Sequence, residues 1–473
     1  MGNDKLPKGW EWATLNNIAS INKRPDFSNI SDNTEVSFLP MRCVEAMTGK
    51  IDLSDVKLMS HVKKGFTPFI DGDLIFAKIT PCMENGKIAI VNGLKNGLGF
   101  GSTEFHTIRF SNETDVRLFF YYFIQHIIRK EAQRNMTGTA GQMRVPSKFL
   151  ESKVIPLPPH NEQKRIVVKI EELFTKLDAG VEALKKVKAE LKRYRQAVLK
   201  AAFEGKLTAE WRKTHKDKLE PASKLLERIA KERDKTAKGK AKPLPALDTS
   251  NLPDLPDGWE WTTVKNIGEV VTGTTPSKSK SEYYGDDFPF YKPTDLNEGY
   301  YVKYSTDGLS KAGLEQARLL PEKSTLITCI GATIGKTGFA RIAGASNQQI
   351  NAIIPEKGLL PEYIYFYCIS LQFQKSIMDN ASATTLPIIN KRKFELLALP
   401  IPSFEEQKAI VNEIERCFSI ADEVEQMIER SLKEAGRLRQ SILKKAFEGK
   451  LVPQDPNDEP AEKLLETIKK KNK

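Results

Sequence analysis

Cysteine is scarce and scattered: Cys43, Cys82, Cys329, Cys368 and Cys417 stand singly, with no Cys-x-x-Cys spacing. An odd count without paired spacing excludes a disulfide framework and a zinc knuckle, so reduced, mostly buried thiols are expected. No run of about 18 or more apolar residues occurs, and the opening Met-Gly-Asn-Asp-Lys has no apolar stretch. Neither a membrane span nor a secretory signal is therefore expected, and the protein should stay in the cytoplasm.

Catalytic signatures are lacking too. Gly331-Ala-Thr-Ile-Gly-Lys-Thr337 resembles a phosphate loop but puts three residues between its glycines, where curling amides around a phosphate needs four. The first half offers a similar Asn85-Gly-Lys-Ile88, which makes Gly-Lys a shared turn. No Asn/Asp-Pro-Pro-aromatic segment exists to polarise an exocyclic amine; in Leu157-Pro-Pro-His160 a leucine holds the key position. Neither Pro25-Asp26 nor Pro253-Asp254 is followed by a convincing acidic-x-Lys strand, as a nuclease would need. All five histidines, His61, His106, His126, His160 and His215, lie in the first half, so no His-based site can be common to both halves. Metal ligands, bound cofactors and catalytic residues are accordingly not expected on this chain.

What the chain does have is repetition. Leu6-Pro-Lys-Gly-Trp-Glu-Trp12 returns as Leu255-Pro-Asp-Gly-Trp-Glu-Trp261, Glu162-Gln-Lys164 as Glu406-Gln-Lys408, and Phe203-Glu-Gly-Lys-Leu207 as Phe447-Glu-Gly-Lys-Leu451. A period of about 244 residues is a domain duplication, not a solenoid repeat. The 473 residues, 40% apolar, suffice for a core in each copy. The net charge of +12 suits a polyanionic partner such as DNA or RNA. Residues 212 to 242 hold twelve Lys/Arg against five Asp/Glu, so much of that excess falls in a probable linker, read as a solvated basic connector.

Each copy opens with the Pro-x-Gly-Trp signature and continues through short mixed segments, with strands such as Asp73–Ala77 and Thr325–Thr328 and helices over Arg117–Arg134 and Glu362–Met378. Proline in Ile155-Pro-Leu-Pro-Pro159 and Leu399-Pro-Ile-Pro402 ends the domain before a new helix. There Ile166, Ile170, Leu173, Leu177, Leu184, Val187, Leu191, Tyr194 and Val198 form a heptad stripe, matched by Ile410, Ile414, Cys417, Ala421, Val424, Ile428, Ala435, Leu438 and Ile442. A helix of that length, about 60 Å, cannot bury its stripe alone. Its expected partner is its own duplicate, antiparallel if a two-fold axis relates the copies, with the domains at opposite ends. The alternative is packing on its own globular domain or on another chain. Two related tails, Pro221–Ile229 and Pro460–Ile468, are predicted as short amphipathic helices, the first running into a flexible bridge, Lys238 to Pro245.

The fold class is thus α+β: two globular mixed α/β domains separated by two long helices in an antiparallel intramolecular coiled coil, pseudo-two-fold. The boundaries are 1–159, 160–207, 208–254 (basic linker with a short amphipathic helix), 255–402, 403–451 and 452–473. Candidate nucleic-acid contacts are Lys78, Asn85, Lys87, Gln142, Arg144 and Lys148 in the first domain, and Lys336, Asn347, Gln348, Thr384, Lys391 and Arg392 in the second. Gly-Thr-rich turns offer amides and hydroxyls to phosphates, and Gln, Asn and Arg pair with base edges.

The duplicated Pro-x-Gly-Trp-Glu-Trp openings, Glu-Gln-Lys helices and Phe-Glu-Gly-Lys-Leu closings resemble the DNA specificity subunit of type I restriction-modification systems, over essentially the whole chain. That family alternates two target recognition domains with two conserved helical regions, places here taken by residues 10–155, 160–207, 259–400 and 403–451. The resemblance implies a non-catalytic subunit whose domains each read half of a split double-stranded DNA site. It implies two modification subunits, which carry S-adenosylmethionine, and restriction subunits as partners. The domains differ between their shared ends, so the site is expected to be asymmetric. The rival readings are a bivalent protein-binding scaffold and a stand-alone methyltransferase or nuclease.

Overall fold

The computed structural model describes residues 6–236, 247–382 and 386–471. They form two compact units, one of Met1–Lys185 with Glu429–Lys473, the other of Lys186–Ile428. Each contains one globular domain and a segment of each of two 44-residue helices, His160–Phe203 and Phe404–Phe447.

In the first unit the strands are β1 (Glu11–Thr14), β2 (Ala19–Ile21), β3 (Glu35–Leu39), β4 (Val56–Leu58), β5 (Thr67–Ile70), β6 (Leu74–Ala77), β7 (Ile88–Ile90), β8 (Leu98–Gly101), β9 (Phe105–Phe110) and β10 (Val154–Leu157). They make two four-stranded sheets, β2-β9-β6-β7 and β4-β3-β8-β5, and a ribbon, β1-β10. β6 is apolar and buried at every position, which suits an interior strand. Among the described residues the single parallel pair of this domain, β3 with β8, lies at the centre of the sheet β4-β3-β8-β5.

The second unit repeats this frame with β11 (Glu260–Thr263), β12 (Gly268–Thr272), β13 (Tyr284–Tyr291), β14 (Asp307–Leu309), β15 (Thr325–Thr328), β16 (Thr337–Phe339), β17 (Ala345–Ser346), β18 (Ile350–Pro355) and β19 (Ala398–Ile401). The sheets are β12-β18-β15-β16 and β14-β13-β17, the ribbon is β11-β19, and β13 with β17 is again parallel. The expected helices over 117–134 and 362–378 are each broken in two: Val116–Phe123 and His126–Arg134, Pro361–Cys368 and Leu371–Asn380. Local capping beats the continuous apolar pattern. Ser370 turns extended and its side chain accepts from the amide of Phe373, starting a fresh helix, and Gln125 leaves helical geometry at the matching place.

The long helices run antiparallel within each unit. In the first, Ile166, Ile170 and Phe174 share a core with Ile442, Leu443 and Ala446, so one helix's start meets the other's end. Arg439 lies 4.3 Å over the Phe174 ring and pairs with Asp178. In the second, Lys188 pairs with Glu425 at 3.5 Å and Arg195 with Asp422 at 2.6 Å, numbers rising on one helix as they fall on the other. The duplicate is therefore the partner. The stripe itself needs correction: Val187, Tyr194 and Leu438 remain 40%, 41% and 52% exposed. A two-helix seam covers one side only, and burial becomes complete where a globular domain adds its surface, at Ile166, Ile170, Leu199, Ile410, Ile414 and Leu443. Packing against a globular domain, the stated alternative, is thus also realised, and each domain takes the start of its own helix and the end of the other copy's.

That exchange explains the repeated signatures. The indole of Trp10 donates to Glu162 at 3.0 Å, and that of Trp259 to Glu406 at 2.9 Å. Gln163 accepts from the Asp115 amide and Gln407 from the Leu360 amide, tying each long helix to the N-terminal end of Val116–Phe123 or Pro361–Cys368. Gly205, at φ +68°, lies where a Cβ would stand 2.3 Å from Pro256 Cγ, and Gly449, at φ +67°, where a Cβ would stand 2.3 Å from Pro7 Cγ. Only glycine tolerates both the left-handed turn and the approach. The amide of Ala222 donates to the Gly258 carbonyl and that of Ala461 to the Gly9 carbonyl, each at 2.9 Å. The end of each copy is thereby clasped to the head of the other.

The tails are amphipathic helices as expected, Ala222–Thr236 and Ala461–Lys471, with Ala222, Leu225 and Ile229 in the second unit's core and Ala461, Leu464 and Ile468 in the first's. The basic linker is correspondingly less of a solvated connector than its composition implied. Ala209–His215 is helical, and Arg212 bonds Glu406 at 2.8 Å. The expected flexible bridge, Lys238 to Pro245, lies outside the described residues.

Candidate nucleic-acid interface

The loops at one corner of each domain are set by equivalent backbone bonds. In the first domain the Lys78 amide donates to the Glu104 carbonyl, the Val145 amide to the Lys78 carbonyl, and Ile79 bridges Arg144. In the second the Cys329 amide donates to the Gln349 carbonyl, the Ile389 amide to the Cys329 carbonyl, and Ile330 bridges Ile388. One frame thus presents an acid, a lysine and a guanidinium in one domain, and amides beside a buried thiol in the other. Burial pushes the Cys329 thiol up to about 12, so it stays protonated and inert.

Lys78, Gln142 and Arg144 are brought together here. Arg144 is largely spent inside the domain: Nε and Nη2 donate to Glu104 at 2.9 and 2.8 Å, and Nη1 to the Gln142 carbonyl at 2.9 Å. That fork holds the Glu104 carboxyl below its ordinary range. Gln142 is exposed and Lys78 half-buried. Asn85 and Lys87 sit on the β6–β7 hairpin; Asn85 is exposed, whereas Lys87 Nζ donates to the Met41 carbonyl at 2.8 Å. Lys148 projects from a separate short helix, Ser147–Glu151, and is exposed. His106 is a satisfied core histidine, bonded to the Val145 carbonyl and Asn22, and burial lowers its pKa.

In the second domain Lys336 is half-buried on the β15–β16 hairpin. The segment Gly331–Thr337 leads from strand to strand, so its resemblance to a phosphate loop ends there: no helix follows to aim its amides. Asn347 braces its own loop, donating to Gln349 Oε1 at 3.0 Å and accepting from the Gln349 amide at 3.1 Å. Gln348 is exposed. Lys391 and Arg392 are exposed on the short helix Lys391–Glu395, the counterpart of the one bearing Lys148, and Thr384 lies outside the described residues. Sequence reasoning missed Glu104, Thr275 and Lys278. The Gly273-Thr-Thr-Pro-Ser-Lys-Ser-Lys280 stretch is Gly-Thr-rich, as is Thr137-Gly-Thr-Ala-Gly-Gln-Met-Arg144 around Gln142 and Arg144.

Among the described residues no group of three or more His, Cys, Asp or Glu could hold a metal ion, and no helix is long and apolar enough to cross a membrane.

The family model for the type I restriction modification DNA specificity domain matches residues 7–193 and again 256–434. The chain belongs to that family. It is 36% identical over 327 residues to the type I restriction enzyme EcoAI specificity subunit of Escherichia coli, covering 59% of this chain and 54% of that one. With the EcoEI specificity subunit of the same species it is 35% identical over 314 residues, 56% of this chain and 51% of that one. The matched region thus spans about half the length of these relatives. A solved chain from work on complex assembly and conformational transition of the type I R-M system covers 94% of this chain and 99% of its own, with TM-score 0.69 at 22% identity, a likeness of fold.

Proposed function

We propose that this chain is the DNA sequence-recognition subunit of a type I restriction-modification complex, each globular domain reading one half of a bipartite, asymmetric site. The carrying observation is one duplicated frame that presents different chemistry at equivalent loops, charged at Lys78, Glu104 and Arg144, amide-rich at Asn347–Gln349. The exposed members of the candidate set, Asn85, Gln142, Lys148, Gln348, Lys391 and Arg392, are the proposed DNA contacts, with Lys78 and Lys336 at the margin. Arg144, Lys87 and Asn347 serve to shape the loops. The antiparallel helices set the spacing of the half-sites, on the order of one turn or about 34 Å of duplex.

In this reading the chain supplies no catalysis. Two modification subunits dock on it and bind S-adenosylmethionine, restriction subunits join through them, and the assembly works in the cytoplasm on chromosomal DNA. The test is a replacement of residues 10–155 by another recognition domain, with methylated sites mapped by single-molecule sequencing. One half of the target should change and the other should stay. A change in both halves, or methylation by the chain without partners, refutes the reading.

A further inference from the structure

Beside β13 the second domain contains a polar cavity of about 450 Å³, large enough for a nucleotide-sized group. Thr275, Lys278, Tyr284, Lys292, Asn347 and Gln348 line it. Its walls are tightly built. Gly273 packs so closely that a Cβ there would stand 2.2 Å from the Asn347 carbonyl oxygen, which draws the Thr274–Lys280 loop onto Asn347 and Gln348. Tyr284 pins the same loop, its hydroxyl donating to the Pro276 carbonyl at 2.8 Å. Ser346 is fully buried beneath, its hydroxyl without a partner among the described residues.

The cavity's polar groups divide by whether they are already used. Lys292 is neutralised by Asp307, and the Asn347 amide is braced by Gln349 at both its nitrogen and its oxygen. Gln348 differs. Its Oε1 accepts from Thr275 Oγ1 at 2.5 Å, while among the described residues its Nε2 donates to nothing. The threonine hydroxyl donates to that oxygen, and the Nε2 amino group is left as a donor at an exposed position. Lys278 is exposed at the rim. A neutral donor with one peripheral cation is the pattern of base-edge readout flanked by a phosphate contact.

We infer that Gln348, aimed by Thr275, reads a hydrogen-bond acceptor on a base edge in the major groove, while Lys278 holds the adjoining phosphate. This deepens the proposed function and rests on it. In the first domain the position equivalent to Gln348 is Thr103, exposed and without an amide, and the loop ends in Glu104, closed by Arg144, so the two half-sites should be read by different groups.

The experiment selects sites from a random duplex library with the full chain, alone and assembled with modification subunits, comparing wild type, Gln348→Ala, Gln348→Glu, Thr275→Val, Thr275→Ser and Lys278→Ala. Wild type should return a bipartite consensus. Gln348→Ala should flatten a single position of one half, losing roughly 10-fold or more of discrimination there. Gln348→Glu should shift that position toward cytosine, whose amino group donates. Thr275 is a positioning residue: its valine variant should relax the same position, and serine should restore it. Lys278→Ala should weaken all sequences alike and lower the salt slope by about one. A wild-type consensus that Gln348→Ala and Gln348→Glu both leave intact overturns the inference alone. A wild-type chain that selects no consensus in either form overturns the specificity reading itself.

Discussion

Replacing Glu406 by glutamine should unlock the clasp of the second unit. Glu406 is 1% exposed and accepts three hydrogen bonds, from the Trp259 indole at 2.9 Å, Thr208 Oγ1 at 2.8 Å and Arg212 Nε at 2.8 Å. Glutamine matches its size and can still accept from Trp259. It cannot balance the Arg212 guanidinium, whose side chain is only 17% exposed. Removing one partner of a buried pair costs about 3–5 kcal/mol because the remaining charge is stranded, and the residual exposure of Arg212 favours the lower end, about 3 kcal/mol. For a unit of this size about 3 kcal/mol lowers Tm by about 6–12 °C. Calorimetry gives the shift, and hydrogen exchange of peptides around 208–214 and 403–410 shows whether it begins at the clasp. Adding Arg212→Met should recover much of the loss, since the stranded charge is then gone. A Glu406→Gln protein melting within about 2 °C of wild type, with unchanged exchange there, would refute the account.

The first unit's counterpart should behave oppositely. Glu162, also 1% exposed, accepts from Trp10 alone, its Oε1 has no partner among the described residues, and burial raises its pKa above 4.5. The ionised form therefore costs stability that is absent below pH 4.5 and grows as pH rises through the raised value, so Glu162→Gln should be neutral to stabilising at pH 7 and without benefit in acid, as read by a pH series of melts. Asp458 has the reverse sign. Arg165, at 2.5 Å, depresses its pKa below 3.8, so the stability it lends is present above pH 3.8 and fades as pH falls through the lowered value, a fade that Asp458→Asn should abolish. Gly449→Ala meets both a left-handed φ and Pro7, and should cost about 2 kcal/mol or more in denaturant titration, whereas Gly436→Ala, with open space, should cost nothing. DNA affinity should fall steeply and log-linearly with salt; indifference to ionic strength would favour a protein ligand.

Much was legible in the sequence because it is local or repeated. The heptad stripes announced both long helices, since periodicity survives whatever covers it, and the paired tails announced their own amphipathic helices. The helices over 117–134 and 362–378 were overrun because apolar spacing continues across Gln125 and Ser370, while the capping that breaks them is a matter of backbone geometry. Of the candidate contacts, Arg144, Lys87 and Asn347 carry the right side chains for nucleic acid, yet nothing along the chain tells that Glu104, the Met41 carbonyl and Gln349 already hold them.

By itself the sequence determined the duplication, the two helical stripes and the absence of catalytic motifs, because these depend on residue types at fixed spacing. Only the tertiary structure decided what the signatures are for: Gly449 against Pro7, Gly205 against Pro256, and Trp10 on Glu162 against Trp259 on Glu406. Those contacts join residues from about 50 to about 440 positions apart. Whether a buried carboxylate finds one partner or three depends on which side chains the finished fold brings within hydrogen-bond reach, and no local pattern encodes that.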